Sequence, residues 1–530
     1  EVLGKFITLS DYFSETDRPG DLTRFKADQY RVPYLKQAII REQPDPLSRC
    51  VDWHARRAVV EAGQAMELFE QLAAGRQPLS AAEPSAAGAV DSAPETPLVE
   101  LARQRDAAAA KLAATLTGAK AGSAPGYTVV NSSSFSRRAG IDVSGLALLP
   151  DVQGPVLAAQ QQGERKLAVV EVPACGLAWI AAGSQPAKRA AKPLAEASVL
   201  RNEFFELNVH PASGGIRSIY VPGQRGNRLS QQLGFRLPTP RPKPGDVWRD
   251  PDEEAPYTRM VADKVEVTAA GPAFGEITSR GQLLDPQDQP LATFVERLQV
   301  WRGVRIIGLE IELDVREEPR ADPWNSYYAI RFAWSNEAAE LFRSVGGVMQ
   351  PSANRRIEAP QFIEIRDDRL RTTIFTGGLP YHRFNGERML DTLLVVRDES
   401  RRIFRLGIGI DVQHPAAAAS ELHDPLSVVA ATPLPAAASG SSWMFHLDVR
   451  NVVATHWDHA GGAAGGFRVR LQETEGRAGR VYLRSFRPPR VARQLDFQGN
   501  TQAELAIDGD RIAIDLAAYE WIQVLAEWQP

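Results

Sequence analysis

Tyr381, His382, Arg383, Arg388 and Asp391 make the densest polar and aromatic stretch of the chain, among the glycines of residues 377–386. A ring face beside guanidinium forks and a carboxylate suits a saccharide. Its hydroxyls need paired donors and acceptors, and its C–H face stacks on an aromatic ring. The same residue types also suit a plain hairpin loop, with the tyrosine in a core and Arg–Asp pairs at the rim, where such pairs are individually weak. Trp324 and Tyr327 form a second aromatic platform just before an apolar strand at 329–333. Strand alternation turns some of these rings inward, which favours core packing.

His456, Asp458 and His459 have metal-ligand spacing, two imidazoles and a carboxylate in one short run. A loop beside the glycine-rich stretch 461–466 is equally a solvated surface, because spacing alone constrains coordination loosely. His54, the only histidine between 45 and 118, reads as a helix-start residue that caps or faces solvent. No Gly-rich phosphate cradle, nucleophile elbow or catalytic-triad order can be read. No residue is assigned to catalysis or to a metal on these grounds.

These groups sit in a chain of 530 residues, too long for one core, so several domains are expected. A formal net charge of −4 leaves no basic excess for a large nucleic-acid footprint. No apolar run approaches the roughly 18 residues of a membrane span. Neither nucleic acid nor membrane is therefore expected as a partner. Cys50 and Cys175 are too few and too distant for a disulfide framework. The chain opens on Glu1 without a leader pattern, which reads as a processed chain or a piece of a longer one.

The elements that must position these residues follow from periodicity. Val59, Ala62, Met66, Phe69 and Leu72 recur at helical spacing within 45–74, and Leu101, Ala108, Leu112 and Leu116 do so after Pro97. Two such stripes predict a helical hairpin, part of a small three-helix bundle with the segment before Asp45. After Gly126 the period becomes two. Ile307, Leu309, Ile311 and Leu313 alternate with polar residues, as do Phe404, Leu406, Ile408 and Ile410, and as do Trp443, Phe445, Leu447 and Val449. One-face burial on so many strands predicts a large antiparallel sandwich over 199–460. Residues 237–257 and 414–442 read as long loops, and Asp508-Gly509 as a hairpin turn in a last small β unit. Asn131-Ser132-Ser133 is formally a glycosylation triplet.

Residues 200–220 also carry a specific wording: Leu200, Asn202, Glu203 and Phe204, then Pro211, Gly214, Gly215, Ile216, Ser218, Ile219 and Tyr220. This resembles the start of the large β-sandwich domain of family 38 glycoside hydrolases, the α-mannosidases. Arg356-Ile-Glu-Ala-Pro-Gln361, the Val129/Asn131/Arg137 pattern and the Phe6/Thr8/Tyr12/Phe13 pattern are similar to other parts of the same family. The resemblance implies a multidomain, mainly β chain. It would comprise the tail of a catalytic domain (1–44), a helical bundle (45–122), a linker β-domain (123–198), a galactose-mutarotase-like super-β-sandwich (199–460) and a C-terminal β-domain (461–530). In the family an aspartate nucleophile, an acid/base carboxylate and a zinc held by His and Asp residues do the chemistry. The early elements that carry these groups in the family precede the part this chain resembles, and the family's His-His-Asp run is missing between Asp45 and Gly118, so zinc is expected only with a catalytic domain elsewhere. The implied partners are a mannoside-type glycan and that domain. The implied glycan contacts are Tyr381, His382, Arg383, Arg388, Asp391, Trp324 and Tyr327. Two other readings stay open: a stand-alone carbohydrate-binding scaffold, and an enzyme of different chemistry built on the 381–391 loop.

Overall fold

A computed structural model describes residues 34–75, 96–117, 126–183, 192–239, 255–368, 370–386, 388–431, 440–460 and 465–528. The segment around Phe6–Phe13 lies outside them, as do residues 240–254 and 432–439.

Helices α1 (Tyr34–Ile40), α2 (Ser48–Ala73) and α3 (Leu98–Thr117) precede the strands. The apolar stripes lie where periodicity puts them: Ala62, Met66, Phe69 and Leu72 on α2 are buried, as are Ala108 and Leu112 on α3. The start of α2 is capped by a distant side chain. The Leu47 and Ser48 N–H groups donate to the Glu399 carboxylate at 2.8 and 3.1 Å, placing an anion at the positive end of the helix. The expected three-helix bundle is corrected. Leu35 and Ile39 of α1 enter the core of the sandwich, whereas α2 and α3 share a core with Phe445, Trp457 and Phe467 of the C-terminal strands. Among the described residues, the apolar faces of the hairpin are closed by β structure and not by a third helix.

The largest unit is a sandwich of two antiparallel sheets, so the mainly β, multidomain architecture is as expected. One sheet has nine strands and runs from Arg259–Ala270 to Val348–Pro351. The other has five: β1 (Ser230–Arg236), β2 (Tyr327–Ala333), β3 (Arg356–Glu358), β4 (Tyr381–Phe384) and β5 (Met389–Val395), in the spatial order β1-β2-β5-β4-β3. Leu309, Ile311, Leu406 and Ile408 of the first sheet face Leu233, Phe235, Ile330 and Phe332 of the second across one core. Leu200, Phe205, Leu207 and Val209 sink into the same core, as their alternation requires. The return at 210–215 depends on Gly214. Its φ is +82°, and an added Cβ would lie 2.7 Å from the Ser279 Cβ.

Two expectations about the later strands are corrected. Residues 414–442 are not one loop: they include α4 (Pro415–His423) and the strands Ser427–Ala431 and Ser441–Trp443. Trp443, Phe445 and Leu447 do not form a sandwich strand either. Ser427–Ala431 and Ser441–Trp443 complete a sheet with Gly126–Asn131 and Gly176–Ala181, and Phe445–Leu447 pairs with Gly479–Ser485. Sheet membership therefore crosses the boundary drawn at 460. Alternation reveals which face is buried but not which sheet a strand joins. Among the described residues no helix is long and apolar enough to cross a membrane.

Candidate functional site

The five-stranded sheet has one apolar face and one polar face, and its register decides which side chains reach the polar one. Arg236 pairs with Tyr327, Arg331 with Asp391, Asp391 with Arg383, and Arg383 with Arg356. Successive strand residues point to opposite sides, so these six positions share the face turned away from the core, while Phe235, Tyr328, Phe332 and Leu390 face it.

Asp391 is the centre of this face and is fully buried. Its Oδ2 accepts from the Tyr257 hydroxyl at 2.6 Å and from the Tyr327 hydroxyl at 2.8 Å, and its Oδ1 accepts from Arg331 Nε at 3.1 Å. Burial, reinforced by the Asp391 charge, pushes both phenols above their usual range, so each keeps its proton and donates it. Arg236 Nη1 donates to the Tyr257 oxygen at 3.0 Å. Tyr257 lies over Gly234, where a Cβ would stand 3.2 Å from Arg331 Cδ and 3.5 Å from Tyr257 Cδ1. A residue without a side chain lets ring and guanidinium settle directly on the sheet.

The rim is aromatic. Trp324 meets Tyr381 edge-on with centroids 6.1 Å apart, and the Arg356 guanidinium lies 5.1 Å from the Trp324 ring centroid. Arg383 donates to the Trp324 carbonyl and so ties the platform to β4. Tyr257, Asn385 and Tyr381 are half-buried and line the surface above the buried carboxylate.

Of the residues singled out in the sequence, Trp324, Tyr327, Tyr381, Arg383 and Asp391 converge here. His382 and Arg388 do not. His382 projects to the opposite face of β4, where Nδ1 meets Thr392 Oγ1 at 2.9 Å and Nε2 meets the Ala359 carbonyl at 3.1 Å. Burial pushes its imidazole down to about 4. Arg388 bonds the Ser335 carbonyl at 2.9 Å and pairs with Glu337 at 3.6 Å. Sequence reasoning missed Tyr257, Arg236, Arg331 and Arg356. The available signal was the two-residue period, which places Tyr327, Ala329 and Arg331 on one face of one strand.

The residues do not fit a zinc centre. Among the described residues no three His, Cys, Asp or Glu side chains converge in a way that could hold a metal ion. His54 is not a solvent-facing helix start, since it stacks on His423 with centroids 5.6 Å apart. His456 sits opposite Arg470 on a strand, and Asp458 is engaged by Arg468.

The fold is similar to that of two solved glycoside hydrolases. An α-mannosidase from Enterococcus faecalis V583 superposes with a TM-score of 0.65 at 10% identity, over 93% of this chain and 68% of that one. A protein of glycosyl hydrolase family 38 from Enterococcus faecalis matches equally, with 93% and 71% of the two chains covered. This chain shares the fold of those proteins over the matched region. A galactose mutarotase related enzyme from Lactobacillus acidophilus aligns with 40% of this chain at 6% identity, with a TM-score of 0.24 that adds nothing to the assignment. No family model and no curated protein sequence matches the chain.

Proposed function

We propose that this chain is the substrate-cleft-forming, non-catalytic part of an α-mannosidase-like glycoside hydrolase, and that the polar face of its five-stranded sheet binds a mannoside-type glycan. The observation that carries the reading is the Asp391 cluster: a buried carboxylate that aligns two phenols and a guanidinium beside the half-buried ring of Tyr381. Asp391 is too enclosed to attack a glycosidic carbon. It serves to fix the orientation of Tyr257 and Arg331: the guanidinium offers its remaining N–H groups to sugar hydroxyls, while the single Tyr257 proton is held by Asp391. Tyr381, half-buried and backed by the buried Trp324, supplies apolar surface for a C–H face. Nucleophile and zinc ligands would come from a catalytic domain outside these residues.

The test is titration of the chain with methyl α-mannoside and short α-linked mannosides by calorimetry, beside an aryl α-mannoside assay with added zinc. Saccharide binding weakened by Tyr257→Phe, without turnover, is the expected result. Turnover by the 530 residues would overturn the non-catalytic role, and absence of binding would overturn the site.

A further inference from the structure

Three elements meet around His54 and His423. His54 is on α2 and His423 ends α4, and their rings stack at 25° between planes. Trp53 closes the pair edge-on, 4.8 Å from His54. The 376–380 loop presses from the sandwich: a Cβ on Gly378 would sit 2.8 Å from the Val51 Cα and 3.3 Å from His423 Cε1. Both rings are half-buried at this junction.

The charged groups that face the pair give it no counter-ion. On α2, Arg57 lies beside His54 and is bound by Glu61 at 2.8 Å. On α4, Asp424 lies 3.9 Å from Arg105 of α3 and 3.8 Å from Arg137 of the 137–142 strand, and it accepts from Ser132 at 3.0 Å. Glu421 lies 3.9 Å from Arg137 and also faces Arg450. Each carboxylate near the histidines is thus matched to an arginine. Burial also raises Glu61, Glu421 and Asp424 above the usual carboxylate range, so they gain protons as the histidines would.

We propose that the His54–His423 stack is an acid-sensitive latch that holds α4 against the helical hairpin and releases it when the two rings become charged. Burial pushes both imidazoles from 6.5 to about 4; for His54 the charges of His423 and Arg57 add to this. A base whose folded value lies below its free value contributes stability that is present above 6.5 and is lost as pH falls toward 4. Because the two rings touch, protonating one makes protonating the other harder while the contact holds, so opening discharges both constraints together.

Hydrogen exchange tests the latch on the intact chain. After correction for intrinsic rates, amides of 415–423 and of the first half of α2 should exchange about tenfold or more faster at pH 4.5 than at pH 7, relative to the strand Ile306–Val315. In His423→Phe, which keeps a ring but cannot charge, that relative acceleration should shrink, and in His54→Gln/His423→Phe it should vanish. An unchanged ratio of helix to strand exchange in the wild type would overturn the proposal without reference to any variant. So would an acid response in the double variant equal to that of the wild type.

Discussion

The guanidinium of Arg331 lies over the ring of Tyr257, its carbon 3.4 Å from the ring centroid, while the same arginine and the same tyrosine both donate to Asp391. Stacking and a shared acceptor hold the two side chains in one rigid unit. A cation over a π face contributes about 0.5–2 kcal/mol, and each charge-assisted hydrogen bond about 1.5–3 kcal/mol.

Removing the shared acceptor should therefore cost more than removing either donor. Asp391→Ala leaves a guanidinium and two phenols without their common partner, and should lower unfolding free energy by about 3–5 kcal/mol in denaturant titration. Tyr257→Phe should cost about 1 kcal/mol and weaken mannoside binding roughly tenfold. Equal losses in the two variants would contradict the central position of Asp391.

Glu296 sits fully buried between the sheets, its Oε2 accepting from Gln231 Nε2 at 3.0 Å. Burial raises its carboxyl from 4.5 to about 8. The folded chain then holds a proton that the unfolded chain releases, so stability falls as pH rises from about 4.5 to about 8. Glu296→Gln should flatten this slope and leave the variant more stable than the wild type at pH 8, by an amount on the order of a few kcal/mol. Parallel pH–stability curves for the two proteins would refute the assignment.

Gly214→Ala should destabilise by about 1–3 kcal/mol, since it adds a Cβ both to a left-handed backbone and against Ser279. Gly223, also at positive φ but with open space around its Cβ position, is the control and should cost less. A smaller loss at 214 than at 223 would show that the 210–215 return is not as tight as described.

The Asn131 triplet should carry no glycan. The side chain is fully buried, and its Nδ2 donates to the Phe135 and Pro173 carbonyls at 2.9 and 2.8 Å. Mass spectrometry of the chain secreted from a glycosylating host should find Asn131 unmodified, and Asn131→Ala should cost about 1–3 kcal/mol by orphaning buried carbonyls.

How much of this was legible in the sequence depended on period. Ile307 to Leu313 and Phe404 to Ile410 lie buried as their alternation requires, because a half-buried strand writes its two faces directly into residue order. The same rule limits the 381–383 run. Tyr381, His382 and Arg383 are consecutive in one strand, so they could never all meet one ligand, and His382 is the one that faces inward. Tyr257 was out of reach for another reason. It is adjacent to Asp391 only through the fold, 134 positions away, and no local pattern encodes a partner at that distance. The strands at 427–431 and 441–443 failed similarly, because pairing is a tertiary choice that local alternation leaves open.

The cap that Glu399 places on α2 joins residues 352 positions apart. A chain emerging from the ribosome makes the helical hairpin long before it makes the residue that completes its first turn. Excised alone, that hairpin would begin with frayed ends. Its full helicity becomes a reporter of whether the distant sandwich has already closed.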